Sequence, residues 1–291
     1  MSRFPRRYAF LLLCTGAALV LAPAHQAVAQ TRDSTGWLYT AKFTAVWAGG
    51  NSESSTFGLG STLVNHGARS EIKFDGGAVR TESAKRTRRA IGSETDYQVE
   101  ENTNREKTAE AYALRARYDS NISSIFVLFV GADWLRNTFA GIDSRLLLAL
   151  GAGNVWADRD DFRFKTDYGL TYTFQQDVVV NPFLKTNFPG VRFAWDLTRR
   201  LTSTTLFTSV LTSDFNIENT DDVRLDFTNG VSLAISSSLA LQPSLQLLWR
   251  NDPALTEIAL FSPGGVDTGQ KVLAPLQKLD SFFTLALVVR L

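Results

Sequence analysis

The sequence predicts an all-β protein, a closed antiparallel transmembrane β-barrel of about 12 strands, on three observations. Apolar and polar residues alternate with a period of two through most of the chain, as they do on a strand with one apolar face. The alternating segments are mostly about ten to fourteen residues long, which suits a tilted membrane strand of ~9–11 residues better than an average soluble strand of ~5–6. Short and long connections also alternate, as expected of a barrel with short periplasmic turns and longer extracellular loops.

The first 29 residues have the pattern of a secretory signal peptide. Three arginines precede an apolar run over residues 8–22, and an Ala-Val-Ala motif ending at Ala29 resembles a cleavage site. The apolar run is shorter than the ~20 residues that a membrane helix needs. We therefore expect residues 1–29 to be a cleaved signal peptide and residues 30–291 to form the barrel domain.

Removal of this signal would leave a chain of balanced charge with few reactive side chains. Three of the thirty basic residues and none of the twenty-nine acidic ones would be lost, so 27 basic residues would face 29 acidic ones, a formal charge of −2. The single cysteine, Cys14, would leave with the signal, and His66 would become the only histidine. These features exclude disulfides and thiolate metal sites in the mature chain and argue against nucleic acid as a partner.

Twelve segments carry the alternation in order along the chain. In the first, aromatic and apolar residues from Trp37 to Trp47 occupy every second position, with polar residues such as Lys42 between them. Residues 125–136 are apolar on both faces until Asp133, and residues 201–213 leave their outward face undecided. The predicted strands cover residues 37–47, 56–64, 71–80, 108–118, 125–136, 143–155, 162–175, 190–198, 201–213, 222–235, 239–250 and 279–291.

The connections and strand ends favour an outer-membrane barrel of a Gram-negative bacterium over the alternative, a soluble periplasmic β-protein. Closure pairs the backbone groups that would each cost several kcal/mol if left open in hydrocarbon. The final alternating segment, Phe283 to Leu291, resembles the signal read by the barrel-assembly machinery, a partner we expect during biogenesis. Aromatic residues lie near strand ends, as in interfacial girdles: Trp37, Trp47, Tyr118, Trp134, Phe162, Trp195 and Trp249. The predicted outer connections are residues 48–55, 81–107, 137–142, 176–189, 214–221 and 251–278.

The polar strand faces predict a charged barrel interior. One interpretation is a paired network that plugs the lumen, because unpaired charges in a confined space are costly. The other is a pore lining with a mild preference for anions. Twelve strands lie between filled barrels of ~8 strands and open ones of ~16–18, so barrel size leaves both open. The lumen-facing charged residues are Lys42, Lys73, Asp75, Arg115, Arg117, Asp133, Arg145, Arg163, Lys165, Asp167, Arg192, Asp196, Arg224, Asp226, Arg250 and Arg290.

A basic run in the predicted outer connection 81–107 suggests contact with lipopolysaccharide phosphates. The run consists of Lys85, Arg86, Arg88 and Arg89. Six acidic residues between residues 80 and 107 nearly balance the seven basic ones there. A mixed-charge loop, or strands that extend above the membrane, is therefore the competing interpretation. Outer-membrane lipid is the other expected surface partner.

The sequence offers little for catalysis or metal binding. An outer-membrane hydrolase of the serine or omptin type needs a histidine at its site, whereas His66 falls in a predicted periplasmic turn. The acidic stretch 214–222 fails the EF-hand template, because Asn219 stands where glycine is required and Leu225 where glutamate should close the site. We interpret that stretch as a solvated loop and predict no enzyme, no cofactor and no metal site.

Several short motifs resemble the salt-induced outer-membrane protein family, whose function is unknown. They span most of residues 37–175, and the resemblance implies an outer-membrane location and an osmotic or salt-stress context, without catalytic residues. The motifs are Gly50-Asn51-Ser52, Arg117-Tyr118-Asp119, Gly141-Ile142-Asp143-x-Arg145, Gly151-x-Gly153 and Asp167-x-Gly169-x-x-Tyr172. The functional expectation is a structural or stress-adaptation barrel with a charged, largely plugged lumen, with a narrow pore for small solutes as the alternative.

Overall fold

The computed structural model describes residues 36–48, 52–92, 97–181, 184–263 and 266–290. It is a closed barrel of twelve antiparallel strands, which confirms the predicted fold class. The signal segment 1–29 and Leu291 lie outside the described residues. The strands are β1 Gly36–Ala48, β2 Ser52–His66, β3 Ser70–Gly92, β4 Tyr97–Asn121, β5 Phe126–Asn137, β6 Ile142–Asp158, β7 Phe162–Asp177, β8 Asn187–Arg200, β9 Thr205–Asn216, β10 Val223–Ala234, β11 Leu239–Arg250, β12 Leu255–Phe261, β13 Asp267–Pro275 and β14 Leu279–Arg290.

The barrel follows an up-and-down order in which each strand pairs with its neighbour in sequence. The exception is the last connection, where β12 and β13 form a separate two-stranded sheet and β14 returns to pair with β11. Closure comes from β14 on β1, with Phe43 opposite Leu287 and Thr40 opposite Arg290. The sequence predicted residues 251–278 as a loop, so the β12–β13 hairpin is an addition to the expected twelve strands.

The two-residue period separates an apolar outer wall from a polar inner wall. Leu59, Leu114 and Leu150 point outward and are each more than half exposed. Thr40 and Thr62, at the alternate positions, are almost completely buried inside. The sequence left open which face of residues 201–213 points outward. In the structure the even-numbered residues of β9, such as the buried Val210, lie on the inner wall.

Strands β3 and β4 continue well beyond the other strands, which corrects the predicted loop 81–107. The two strands stay paired, with one shift of register between Thr81 and Glu82, up to the pair Gly92 and Tyr97, so only residues 93–96 connect them. This arrangement agrees with the competing interpretation of residues 81–107, in which the strands themselves are extended. The basic run lies on the extension of β3, where Arg88 is paired with Glu101 and Arg89 with Glu100 in the backbone register. The side chains of Lys85, Arg86, Arg88 and Arg89 lie outside the described part of the structure.

The barrel has two different ends. At one, which we call the turn end, the connections are residues 67–69, 122–125, 159–161, 201–204 and 235–238. At the other, the loop end, the long connections are residues 178–186, 217–222 and 251–278.

Part of the last connection folds over the loop end of the lumen. Residues 251–254 and 275–278, which we call the cap, are joined by a hydrogen bond from the Leu276 amide to the Ala254 carbonyl at 2.9 Å. Gly141, after the short 3-10 helix Thr138–Ala140, adopts a left-handed conformation with φ 74° beneath them. A Cβ at Gly141 would overlap the Cβ of Ala254, so glycine lets the cap pack closely.

Aromatic side chains ring the turn end on the outer wall. Trp37 and Trp156 are about two-thirds exposed there, at 60% and 66%. The indole N–H of Trp156 donates to Thr166 Oγ1 at 2.8 Å, and the Tyr168 hydroxyl donates to Asn154 Oδ1 at 2.8 Å. Amphipathic rings with satisfied polar tips are typical of a boundary between hydrocarbon and water.

Candidate functional site

The inner wall brings the predicted charged residues together in groups that cross the lumen. The structure places Lys73, Asp75, Arg115, Arg117, Arg145, Arg163, Lys165, Asp167, Arg224 and Asp226 at inward strand positions. Arg290 occupies a position in β14 opposite Thr40, but its side chain lies outside the described residues.

The turn-end half of the lumen is filled by a quartet consisting of Arg117, Asp119, Lys165 and Asp167. Arg117 Nε donates to Asp119 Oδ1 at 2.7 Å, and its Nη1 lies 2.8 Å from Asp167 Oδ2. Lys165 Nζ lies 3.1 Å from Asp119 Oδ2 and 3.3 Å from Asp167 Oδ1. The quartet therefore joins β4 to β7 across two intervening strands.

Apolar packing completes this half. The Arg117 guanidinium lies 4.1 Å from the centre of the Phe129 ring, a distance suited to a cation–π interaction. Phe129, Leu147 and Ala149 form a buried cluster on the inner wall of β5 and β6. Charge pairing and apolar contact together leave this half closely packed.

A second group spans the middle of the lumen, and we call it the Arg192 bridge. Arg192 donates to both carboxylate oxygens of Asp214, at 2.6 and 2.9 Å, and its Nη1 donates to Asp133 Oδ2 at 2.7 Å. Arg115 Nε donates to the other oxygen of Asp133 at 2.7 Å. The bridge therefore connects β4, β5, β8 and β9.

A third group lies at the loop end. Arg224 binds both carboxylate oxygens of Asp222, at 2.8 and 2.6 Å, and donates to Gln175 Oε1 at 2.8 Å. Its guanidinium also lies 5.2 Å from the centre of the Phe188 ring. These contacts hold Arg224 in one orientation.

A cavity of about 390 Å³, which we call the chamber, lies inside the barrel and is lined by the Arg192 bridge on one side and the cap on the other. Its space comes from small residues on neighbouring strands: Gly60, Gly77 and Ala113 share one register row and project little or no side chain inward. Its charged lining is Lys42, Arg115, Arg145, Arg192, Arg224, Arg250, Lys278, Asp75, Asp133, Asp214, Asp226 and Asp280.

Positive charge exceeds negative charge in the chamber, and two of its arginines lack full pairing. Seven basic residues face five acidic ones in the lining. Among the residues that the structure describes, none lies within hydrogen-bond or ion-pair distance of the Arg145 guanidinium. Arg250 has Nε and Nη1 buried without a hydrogen-bond partner, and its Nε lies 3.5 Å from Asp222 Oδ1.

The interpretation of residues 214–222 as a solvated loop was wrong for two of its acids. Asp214 lies inside the barrel on Arg192, and Asp222 is only 4% exposed beneath Arg224. The sequence did contain a signal for the inward position of Asp214, because Asp214 continues the alternate positions of Thr208 and Val210, which face inward on β9. The cap carried no comparable signal, because it depends on contacts between distant segments.

The described ranges contain neither a metal-binding cluster nor a helix that could span a membrane. No group of three or more His, Cys, Asp or Glu side chains there is arranged to hold a metal ion. None of the described helices is long and apolar enough to cross a membrane.

Comparison with known proteins gives a family match and several similar folds. The family described as "Protein of unknown function, DUF481" matches residues 41–257. That description contains no salt-stress name, so the salt-stress context stays a prediction. No curated protein matches the sequence.

Solved structures that resemble the chain include the following three, all at low sequence identity. The NanC porin has a TM-score of 0.44 and 8% identity over 87% of this chain and 100% of its own. The translocator domain of autotransporter NalP from Neisseria meningitidis has a TM-score of 0.40 and 12% identity, and the match covers 89% of this chain and 90% of that domain. A Pseudomonas aeruginosa FadL homologue has a TM-score of 0.38 and 9% identity, and the match covers 87% of this chain and 75% of the homologue.

Proposed function

The chain belongs to the DUF481 family of proteins of unknown function, and we propose that it is an outer-membrane β-barrel of the Gram-negative cell envelope with a closed lumen. In this proposal the protein has a structural or stress-adaptation role, exerted through its surface and its stability rather than through solute flux. Residues 1–29 direct export and are removed.

The outer wall supports the membrane part of the proposal. Large apolar side chains such as Phe43, Phe57, Leu114 and Leu170 are each more than half exposed around the barrel. A soluble monomer rarely exposes a contiguous apolar patch beyond ~300–600 Å², because water penalises the exposure. On β7 the outward apolar residues run from Tyr168 to Phe174, a length of ~20 Å at ~3.3 Å per residue, near the ~25 Å apolar band of outer-membrane barrels.

The observation that carries the closed lumen is the set of ion pairs that cross it. Arg192 holds Asp133 across β6 and β7, and Arg117 holds Asp167 across β5 and β6. Ions that pass through must displace these charge-assisted hydrogen bonds, which are among the stronger pairings in proteins. The cap adds a second obstruction at the loop end.

Planar-bilayer recording on the refolded mature protein tests the closed lumen. The wild type should give no stable unitary current, whereas the triple variant Arg117→Ala/Lys165→Ala/Arg192→Ala should conduct because the ion pairs that cross the lumen are lost. Arg159→Ala is the matched control, since it breaks an exposed ion pair with Asp161 at the turn end and should stay silent. A stable, ion-selective current from the wild type would overturn the proposal.

A narrow, anion-preferring pore is the second candidate, and the excess of basic residues in the chamber favours it. In that case the wild type conducts, and replacing Arg115 and Arg117 by glutamate shifts its selectivity toward cations. The same replacement in a closed barrel should leave conductance near zero and destabilise the fold.

Location and processing need a separate test. The protein should co-fractionate with outer membranes and migrate faster on gels when left unheated, as a folded barrel does. Its intact mass should correspond to a chain that begins at Gln30. A soluble periplasmic protein, or one that retains residues 1–29, would contradict the proposal.

A further inference from the structure

We propose that the chamber is a binding site for a small organic anion with a carboxylate or phosphate group, held by Arg145 and Arg250. This goes beyond a closed barrel, because it assigns a ligand to the interior. The two arginines are supplied by β6 and β11, and the chamber between them is bounded by the cap.

Arg145 is the first part of the argument. It lines the chamber without a hydrogen-bond or ion-pair partner among the described residues. Its strongest charged neighbours are Arg224, Asp214, Arg250 and Arg192, three of which repel it. The one acid among them, Asp214, is already bound through both oxygens to Arg192. A guanidinium placed among others away from bulk water is costly unless an anion neutralises it.

Arg250 is the second part. Its Nε and Nη1 are buried and make no hydrogen bond, although two buried donors normally find acceptors. The nearest carboxylate, on Asp222, receives two hydrogen bonds from Arg224 at 2.8 and 2.6 Å, whereas Arg250 Nε stands 3.5 Å away. Asp222 therefore satisfies Arg224 and leaves Arg250 with donors to offer.

The chemistry of the donors defines the ligand class. A guanidinium presents a planar fork of N–H groups that matches a carboxylate or phosphate through two parallel hydrogen bonds. Two such forks with unused donors, beside an Arg224 that is already fixed, suit an oxyanion rather than a cation or a neutral molecule. A cavity of about 390 Å³ falls within the range of small-molecule sites, ~300–1,000 Å³. Cap residues Ala254, Leu276 and Lys278 line the chamber on its loop-end side.

Thermal unfolding of the refolded mature protein in detergent, titrated at constant ionic strength, tests this site. The probes are citrate for the carboxylate class, inorganic phosphate for the phosphate class, and chloride as the reference anion. We expect a saturable rise in melting temperature with citrate or phosphate, and none with chloride. The arm that responds identifies the class.

The variants separate a specific site from general ion effects. Arg145→Gln and Arg250→Gln should each weaken the effective probe at least tenfold. Arg136→Gln is the matched control, because Arg136 is half exposed beside Asp143 and should bind the probe like the wild type. Without probe, Arg145→Gln should unfold at the same temperature as the wild type or higher, which shows that a loss of binding is not a loss of fold. Equal responses to all three anions, or a response unchanged in both chamber variants, would overturn the site; neither readout depends on conductance.

Discussion

The two halves of the barrel interior use similar residues to opposite effect. At the turn end, two basic and two acidic side chains form the quartet, and each of the four contacts two partners of opposite charge. At the loop end, seven basic residues face five acidic ones in the chamber, and Arg145 has no partner among the described residues. In the first arrangement every desolvated charge lies beside partners of opposite sign, although Arg117 Nη2 and Asp167 Oδ1 make no hydrogen bond, so the loss of any one partner should be costly. The second leaves a cost in the empty protein that the proposed anion would offset.

Sequence composition alone could not show this difference. Both halves draw on arginines at inward strand positions, such as Arg117 and Arg145. The difference lies in register and in the partner opposite: Arg117 has Asp119 two residues along on its own strand and Asp167 across the lumen, whereas Arg145 shares its row with Leu135 and Gln175. Substitutions in the two halves should therefore differ in their effect on the stability of the barrel.

The largest effect should come from breaking the quartet. Asp119→Ala leaves Arg117 and Lys165 facing each other with one carboxylate between them, so we expect a loss of ~3–5 kcal/mol in the free energy of unfolding. Urea titration of the barrel in lipid vesicles, followed by tryptophan fluorescence, measures it. Asp143→Ala removes the exposed partner of Arg136 and should cost only ~0–1 kcal/mol. Equal costs for both would mean that the quartet is not the packed half.

The next largest loss of stability should distinguish the outer wall from the inner wall at two adjacent residues. Leu114 lies on the outer wall and is 59% exposed, while Ala113 lines the chamber. Leu114→Arg should cost ~2–4 kcal/mol if the outer wall faces hydrocarbon. Ala113→Arg should cost clearly less, because the chamber has space and polar neighbours. The same vesicle titration compares them, and equal losses would contradict the assignment of the walls.

Much of the fold could be predicted from local pattern, whereas the site could not. A period of two fixes which residues share a wall, so Leu114 and Arg115 could be assigned without knowledge of the barrel. The chamber depends on which strands face each other across the lumen, as when Arg192 reaches Asp133 over two strands. It also depends on the cap, where Ala254 meets Gly141 although more than a hundred residues separate them. Alternation contains no information about such contacts.

A substitution beneath the cap should cause an intermediate loss of stability and loosen the cap. Gly141→Ala forces alanine into a left-handed conformation, which costs ~1–2 kcal/mol, and brings its Cβ into the Cβ of Ala254. We expect faster proteolysis within residues 251–278 and a total cost of about 2 kcal/mol. Gly269→Ala is the matched control, since that residue has φ 72° but no atom within 4 Å of the added Cβ. It should cost the backbone strain alone and leave the cap intact.

The smallest effect is the most informative for the comparison of the two halves. Arg145→Met replaces a guanidinium that has no described partner by a shorter, flexible apolar side chain, so the empty barrel should be unchanged or gain up to ~1 kcal/mol in stability. Arg117→Met makes the same chemical change at the turn end, but it leaves Asp119 and Asp167 to share Lys165 as their one remaining cation and should cost ~3–5 kcal/mol. Both values come from urea titration in buffer free of oxyanions. If Arg145→Met is as damaging as Arg117→Met, then Arg145 is compensated within the protein, and the chamber has no unmet charge for a ligand to neutralise.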